Sequence, residues 1–509
     1  VAVKELRAAG LNATAFEAQA RPGGLFVFRE SDGLVWDTMQ LTSSALATQF
    51  SDFPPEKVVA FWRHQEYLEY LSAYAARFNL LEHLRFDSPV VRAERSESGW
   101  KVWIAGDPPR YFDALVVCSG IHRRAHTPRI PGLETFPGTV VSSTRFRRPE
   151  PFRGLRVVCV GGGESAGDIV PQIAGVAAEC TVSLRRGASF LPRFIDGAPG
   201  DHQMTRLKHG VGHGALVLAR RLRQERDTPG DRTMDEGPDD FCAEPAVGRV
   251  VRSTLLQTGL ERWQQFATKT SALPESIASG QCRLKPGIVD IRGSLIRFRD
   301  ESTVEADVLV LCTGFEPPAW PFLGSFAPTR GLYRQVFDPS LGATAAFVGF
   351  ARPAIGSIPV ISEMQARWVA RVLSRQSDLP DAEVMRTAIV ADQTATKQAF
   401  PKDFEQLPYL VSHVRYLDGL AREIGCMPEV GDLRKTPGLL RAFYAAPFTT
   451  LQYRLVGPGA VRDAAQRMLT LPLQGDRNHT VRDAPPAGPG GRPVIEARLA
   501  GAAGVRRAE

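Results

Sequence analysis

The sequence predicts an α/β fold with two Rossmann-like βαβ units and a helical C-terminal extension, and three observations predict it. Apolar runs that end in glycine recur at "ALVVCSG" (Ala114 to Gly120), "RVVCVGGG" (Arg156 to Gly163) and "DVLVLCTG" (Asp307 to Gly314). Continuous Val/Leu runs of this kind are expected for buried parallel strands that deliver backbone to a ligand. The second run opens the spacing GxGxxA over Gly161, Gly163 and Ala166. The chain also begins with helical spacing at Val1, Val3 and Leu6, a stop at Gly10, and a strand-like Thr14–Phe16 closed by Glu17. Helix, strand and terminal acid form the second half of a βαβ unit.

The bulk numbers admit this fold and exclude several function classes. At 509 residues the chain is long enough for more than one domain. It is 43% hydrophobic and 23% charged, with no apolar run of about 18 residues for a membrane span and an amphipathic helix where a signal peptide would show an apolar core. A cytoplasmic protein without a membrane anchor is expected. The formal net charge is +7, but Lys and Arg are dispersed, so nucleic acid is not an expected partner. The seven cysteines, Cys118, Cys159, Cys180, Cys242, Cys282, Cys312 and Cys426, form no CxxC pair. That argues against a dithiol centre or a Cys-rich zinc site, and Cys118, Cys159 and Cys312 read as small apolar strand residues. His122 and His126 have no third ligand nearby, so no metal is expected.

Taken in order, residues 1–144 and 321–471 are assigned to a first nucleotide-binding domain with a C-terminal helical part. Residues 145–320 form a second, which carries a polar, helix-leaning insertion at 193–280. Residues 472–509, containing "DAPPAGPGGRP", read as a disordered tail.

"VCVGGGESAGDIV" places the glycines directly after a strand and before a helix beginning near Ser165. Gly161 permits the tight turn, Gly163 lets a pyrophosphate approach the backbone, and Ala166 lets helix pack on strand. The following strand, Thr181 to Leu184, ends on Arg185 and Arg186 instead of an acid. Guanidinium groups suit a ribose 2′-phosphate, which points to NADPH. In the first unit, Glu17 instead suits a free ribose hydroxyl, and Gly23 and Gly24 allow close approach to a pyrophosphate. Opposite ribose preferences imply two nucleotides, FAD in the first unit and NADPH in the second. Asp168 reads as a packing or capping residue.

Several further segments resemble the flavin-containing monooxygenase family. "FPGTVVSSTRFR" is similar to the family motif FxGxxxHxxxF/Y, with Phe136, Gly138 and Phe146 in place and Ser142 at the His position. "SGIHRRAHTPRIPG", "LCTGF" (Leu311 to Phe315), "GSIPVISEMQARW" (Gly356 to Trp368) and "TTLQYRLVGPG" (Thr449 to Gly459) match family segments in the same order. The resemblance spans Val1 to about Leu471. It implies FAD reduced by NADPH, then O2 activation as a flavin hydroperoxide and transfer of one oxygen atom to a small-molecule amine nitrogen or thioether sulfur. Baeyer–Villiger transfer to a ketone, NADPH oxidation uncoupled from oxygen transfer, or a degenerate flavoprotein serving as a binding module are its alternatives. It further implies cofactor contacts at Thr313, Gly314, Gln365 and Arg367, and admits a homodimer. "LTSSALATQFSDFP" (Leu41 to Pro54) resembles the flavin-facing segment, with Thr42 in place of the family's Asn and Ala45 in place of its Lys, so Thr42 or Ser43 is expected to supply the hydroxyl there. In the family the helix at Val1 follows the FAD glycine loop directly, so a strand and loop are expected ahead of Val1. The chain as written is expected to bind FAD poorly.

Overall fold

The Val-rich run Arg156–Val160 becomes the middle of a five-stranded parallel sheet, because its side chains are apolar on both faces and both faces are covered. A computed structural model describes residues 1–57, 59–209, 244–260, 264–324, 331–407 and 409–473. The sheet order is Arg283–Pro286, Glu179–Leu184, Arg156–Val160, Val308–Leu311, Thr139–Ser142. Helix Glu164–Ala174 lies between the strands Arg156–Val160 and Glu179–Leu184 in the chain and buries Ile169, Val170 and Ile173 with Val182 and Cys159. Each such aliphatic side chain contributes about 1.5–3 kcal/mol on burial. An antiparallel three-stranded sheet, Ile288–Arg292, Leu295–Phe298 and Thr303–Glu305, follows before the chain returns to the parallel sheet.

The first unit is assembled from segments far apart in the chain. Strand Ala15–Phe16 pairs in parallel with Leu84–Arg85, and Leu115–Val117 pairs in parallel with Ala345–Phe347. Helix Ile358–Leu373 runs through the centre of this half, with Met364, Trp368 and Val369 fully buried, and helix Ala2–Ala8 packs against it. The C-terminal extension is helical, with helices at Ala382–Ala399, His413–Ile424, Leu439–Ala445 and Ala464–Leu469.

Two details bear on the boundaries that the sequence suggests. Strand Thr139–Ser142, inside the 1–144 assignment, pairs residue for residue with Val308–Leu311 and so belongs to the second unit's sheet. Within the expected insertion 193–280, the described residues take part in the fold. Its residues Ala267–Lys269 form a strand parallel to Ser189–Leu191 and lie against the glycine loop. Residues 210–243 of that stretch, with Cys242, and 474–509 of the expected tail lie outside the described residues. Among the described residues no helix is long and apolar enough to cross a membrane, and no group of three or more His, Cys, Asp or Glu could hold a metal ion.

Candidate functional site

The glycine loop after Arg156–Val160 is shaped by close approaches that only some of its glycines make. Gly161 has φ of 118°, and a Cβ there would lie 2.3 Å from the carbonyl oxygen of Cys312. Glycine is therefore required for the neighbouring strand ends to meet. Gly163 has φ of −84° and a Cβ there would meet nothing within 4 Å. That flank is open, with room for a phosphate group. Ser165 is half-buried in the first turn of the helix, and Ala166 is fully buried beneath it.

Pro171 lies inside that helix and has no N–H for the carbonyl of Gly167, four residues earlier. The Thr270 hydroxyl supplies the missing donor at 3.1 Å. Thr268 Oγ1 donates to the carbonyl of Gly162 at 2.9 Å. The Glu164 carboxylate pairs with Lys269 Nζ at 2.7 Å. Three successive residues, 268–270, thus hold the loop and its helix. Asp168 pairs with Arg193 at 2.8 Å. Burial pushes its carboxyl up to about 6, against the pull of Arg193. Arg193 also donates to Gln40 Oε1 at 2.7 Å, and Thr38 to Gln172 Oε1 at 2.8 Å, which ties the first unit to this helix.

Arg185 and Arg186 follow the last residue of strand Glu179–Leu184 and are exposed. With Arg299 and Gln406 they line an open depression of about 400 Å³. Burial lowers the Arg186 guanidinium from its ordinary value and Arg185 lowers it further, while Asp403 opposes both. A dianionic phosphate fits this cluster of guanidinium groups.

In the first unit, Glu17 follows its strand directly. Its backbone N–H bonds to the carbonyl of Arg85 at 2.8 Å, and its carboxylate accepts from Gln19 N at 2.9 Å. Gly23 has φ of 127° and sits against Leu68, whereas a Cβ on Gly24 would meet nothing within 4 Å. Ser43 donates to the carbonyl of Gly356 at 2.8 Å, Ser44 N donates to Asp201 at 2.7 Å, and Thr42 beside them is half-buried. Gly356 packs on the His413 ring, which stands 5.4 Å from that of Phe448. Burial pulls His413 down to about 3, so it is neutral.

Around this junction Asp201 Oδ1, Ser357 Oγ, His413 Nδ1 and Thr449 Oγ1 are buried and find no hydrogen-bond partner among the described residues. Orphaned buried polar atoms are costly. Donors and acceptors of this kind suit a polar ring edge such as that of a flavin. The residues present fit the group.

Not every predicted site residue reaches this junction. Thr313 donates to the carbonyl of His126 at 2.6 Å, and Gly314 accepts from His126 N, so this segment closes a loop on the second unit's side. Gln365 is fully buried, accepting from Gly349 N at 2.8 Å and donating to Tyr416 at 2.7 Å. Arg367 is buried and donates to the carbonyls of Tyr453 and Pro458. Both side chains are spent inside the core, because their helix is buried on nearly every face. Sequence reasoning missed the neighbouring Glu363, which is fully buried, receives Arg454 at 2.9 Å and bonds Ser51 and Thr450. Burial alone would lower Arg454, but Glu363, Glu5 and Asp52 outweigh it and hold its pKa above the ordinary value. An acid in the middle of an apolar helix was the available signal.

The family profile described as Flavin-binding monooxygenase-like matches residues 1–212 and 255–483. The chain belongs to the flavin-binding monooxygenase-like family. It is a flavin-dependent monooxygenase using FAD and NADPH. It is 32% identical to a 4-hydroxybenzoate brominase (decarboxylating) of Marinomonas mediterranea over 92% of this chain and 90% of that protein. It is 30% identical to dimethylaniline monooxygenase [N-oxide-forming] 2 of Rattus norvegicus over 91% and 87%. The S-allyl-L-cysteine S-oxygenase of Allium sativum superposes with a TM-score of 0.59 at 22% identity, covering 83% of this chain and 85% of that one. A steroid monooxygenase bound to NADP superposes at 0.57 with 19% identity, over 83% and 94%. At these identities the superpositions establish the fold, two Rossmann-type units in one flavin monooxygenase architecture.

Proposed function

We propose that this flavin-dependent monooxygenase transfers one oxygen atom from O2 to a soft nucleophile, with NADPH on the Gly161–Ala166 loop and the flavin edge at the Ser43–Gly356 junction. FAD held at this junction would supply the O2 activation once NADPH has reduced it. The chain's own residues orient the two cofactors and keep water out. The observation that carries this reading is a buried junction whose imidazole is held neutral and whose carboxylate, Asp201, already accepts from Ser44 N. Ser43 is bound to Gly356, Ser44 caps its own turn through Ala47 N, and His413 is held neutral. Oxygen transfer to a soft nucleophile asks for positioning and exclusion of water and not for a general acid. A ketone route of the Baeyer–Villiger kind needs an uncommitted cation beside the oxidant. Arg193, which reaches Gln40, and Arg454, which reaches Ser51, are both engaged with carboxylates.

Amine nitrogen and thioether sulfur are the substrates proposed. Bromide is a soft nucleophile as well, and the 32% identity to a brominase favours it as a second reading. The test is a panel of tertiary amine, thioether, bromide with a phenol, and cyclic ketone. Oxygenated or brominated product is measured per NADPH consumed, together with hydrogen peroxide. N-oxide or sulfoxide in proportion to NADPH is expected. Lactone as the sole product, or peroxide equal to the NADPH consumed in every case, overturns the proposal.

A further inference from the structure

The helix Glu164–Ala174 begins with an acid at the place where a dinucleotide's pyrophosphate needs bare backbone amides. Glu164 is its first residue, directly after Gly163. A carboxylate there is drawn to the positive end of the helix and to the free N–H groups of its first turn. Left to itself, it would compete for the same donors as the phosphate. The structure instead shows both carboxylate oxygens turned onto one residue of the strand Ala267–Lys269. Oε1 lies 2.7 Å from Lys269 Nζ, and Oε2 accepts from Lys269 N at 3.3 Å.

Lys269 is itself held firmly. It is 8% exposed, its carbonyl accepts from Arg193 Nε at 3.3 Å, and its ammonium stands 5.1 Å from the Phe266 ring centre. Its flanking residues Thr268 and Thr270 are bonded to the carbonyls of Gly162 and Gly167. Strand Ala267–Lys269 therefore has a fixed position relative to the loop, and the ion pair has a fixed direction.

We propose that Lys269 is a positioning residue for the nicotinamide dinucleotide, acting through Glu164: it holds that carboxylate back from the helix end, so that the loop amides stay free for the pyrophosphate. The inference rests on the reading that the Gly161–Ala166 loop takes NADPH. Two consequences separate it from direct contact of Lys269 with phosphate. Removing the lysine harms binding only while the acid remains, and removing both restores it.

The experiment titrates NADP⁺ into the oxidised protein by calorimetry, without turnover, for Lys269→Met, Glu164→Gln, the double variant and Gly163→Val. Adenosine 2′-monophosphate, which lacks the 5′-pyrophosphate, serves as the control ligand for an intact fold. Lys269→Met is expected to bind NADP⁺ about tenfold more weakly, with the control ligand unchanged. Glu164→Gln and the double variant are expected to stay within about threefold of the parent. Equal weakening in Lys269→Met and the double variant overturns the proposal, because the lysine would then act on the ligand itself. Unchanged binding in Lys269→Met, with Gly163→Val weakened, overturns it while leaving the loop assignment standing. Unchanged binding in Gly163→Val overturns the loop assignment and the proposal together. Loss of the control ligand in Lys269→Met also overturns it, because the lysine would then hold up the domain as a whole.

Discussion

The Ser43 hydroxyl donates to the carbonyl of Gly356 at 2.8 Å across 313 residues of chain. It joins the Leu41–Pro54 segment to the start of helix Ile358–Leu373, and the two neighbouring hydroxyls consequently have different duties. Ser43→Ala is expected to lower stability by about 1 kcal/mol through one lost hydrogen bond. Thr42→Val is expected to leave stability unchanged and to raise the fraction of NADPH electrons that end as hydrogen peroxide. Urea denaturation and a peroxide assay on both variants check this pair of outcomes.

Gly161 and Gly163 are expected to fail differently when replaced by valine. At Gly163 the added side chain meets open space and an ordinary φ, so the protein folds and loses reduction by NADPH while dithionite still reduces bound flavin. At Gly161 the Cβ strikes the carbonyl oxygen of Cys312 with φ at 118°, so that variant is expected to be recovered mainly as aggregate. Soluble yield and stopped-flow reduction distinguish the two.

Arg185 and Arg186 stand together on one depression. Replacing both by glutamine is expected to weaken NADPH binding by about 2–4 kcal/mol, two charge-assisted contacts, and to leave NADH binding nearly unchanged. An unaltered NADPH/NADH preference in the double variant rules out the 2′-phosphate assignment.

Thr270→Val keeps shape but removes the donor to the Gly167 carbonyl. With Pro171 unable to replace it, a buried acceptor is left unsatisfied, and a loss of about 1–3 kcal/mol is expected. Adding Pro171→Ala restores a backbone donor and is expected to recover most of that loss. Equal stability of the single and double variants would show that Thr270 contributes only packing.

His413 carries a pH signature. Its pKa is about 3 when folded, lowered by burial, against 6.5 when exposed. Stability from the neutral ring is present in full above pH 6.5 and is lost as pH falls toward 3. The loss reaches roughly 3 kcal/mol by about pH 4, at about 1.4 kcal/mol per unit. His413→Gln is expected to flatten the stability profile between about pH 6.5 and 4, read from urea midpoints at each pH.

Short-range signals are legible in the residues themselves. Val-rich runs ending in glycine read as buried strands meeting a turn, so Arg156–Val160, Val308–Leu311 and the loop between strand and helix follow from composition and spacing. The charge change from Glu17 to Arg185 and Arg186 at equivalent strand ends underlies the two ribose preferences proposed, because a carboxylate and a 2′-phosphate repel. These properties are carried by residues near one another in the chain, where periodicity and backbone sterics suffice.

Other features depend on partners that no spacing encodes. Gln365 and Arg367 lie in a segment that matches the family, yet their side chains point into a helix's buried surroundings and are consumed by Gly349, Tyr416, Tyr453 and Pro458. Pro171 looks like an error in its helix until Thr270, far along the chain, supplies the missing donor. Glu164 looks like an obstacle to phosphate until Lys269 draws it aside. A buried polar group must be satisfied by whichever chain segment the fold brings to it. Local sequence therefore dictates which elements form and which nucleotides they suit, whereas the packing of distant segments alone dictates which side chains remain free to meet a ligand.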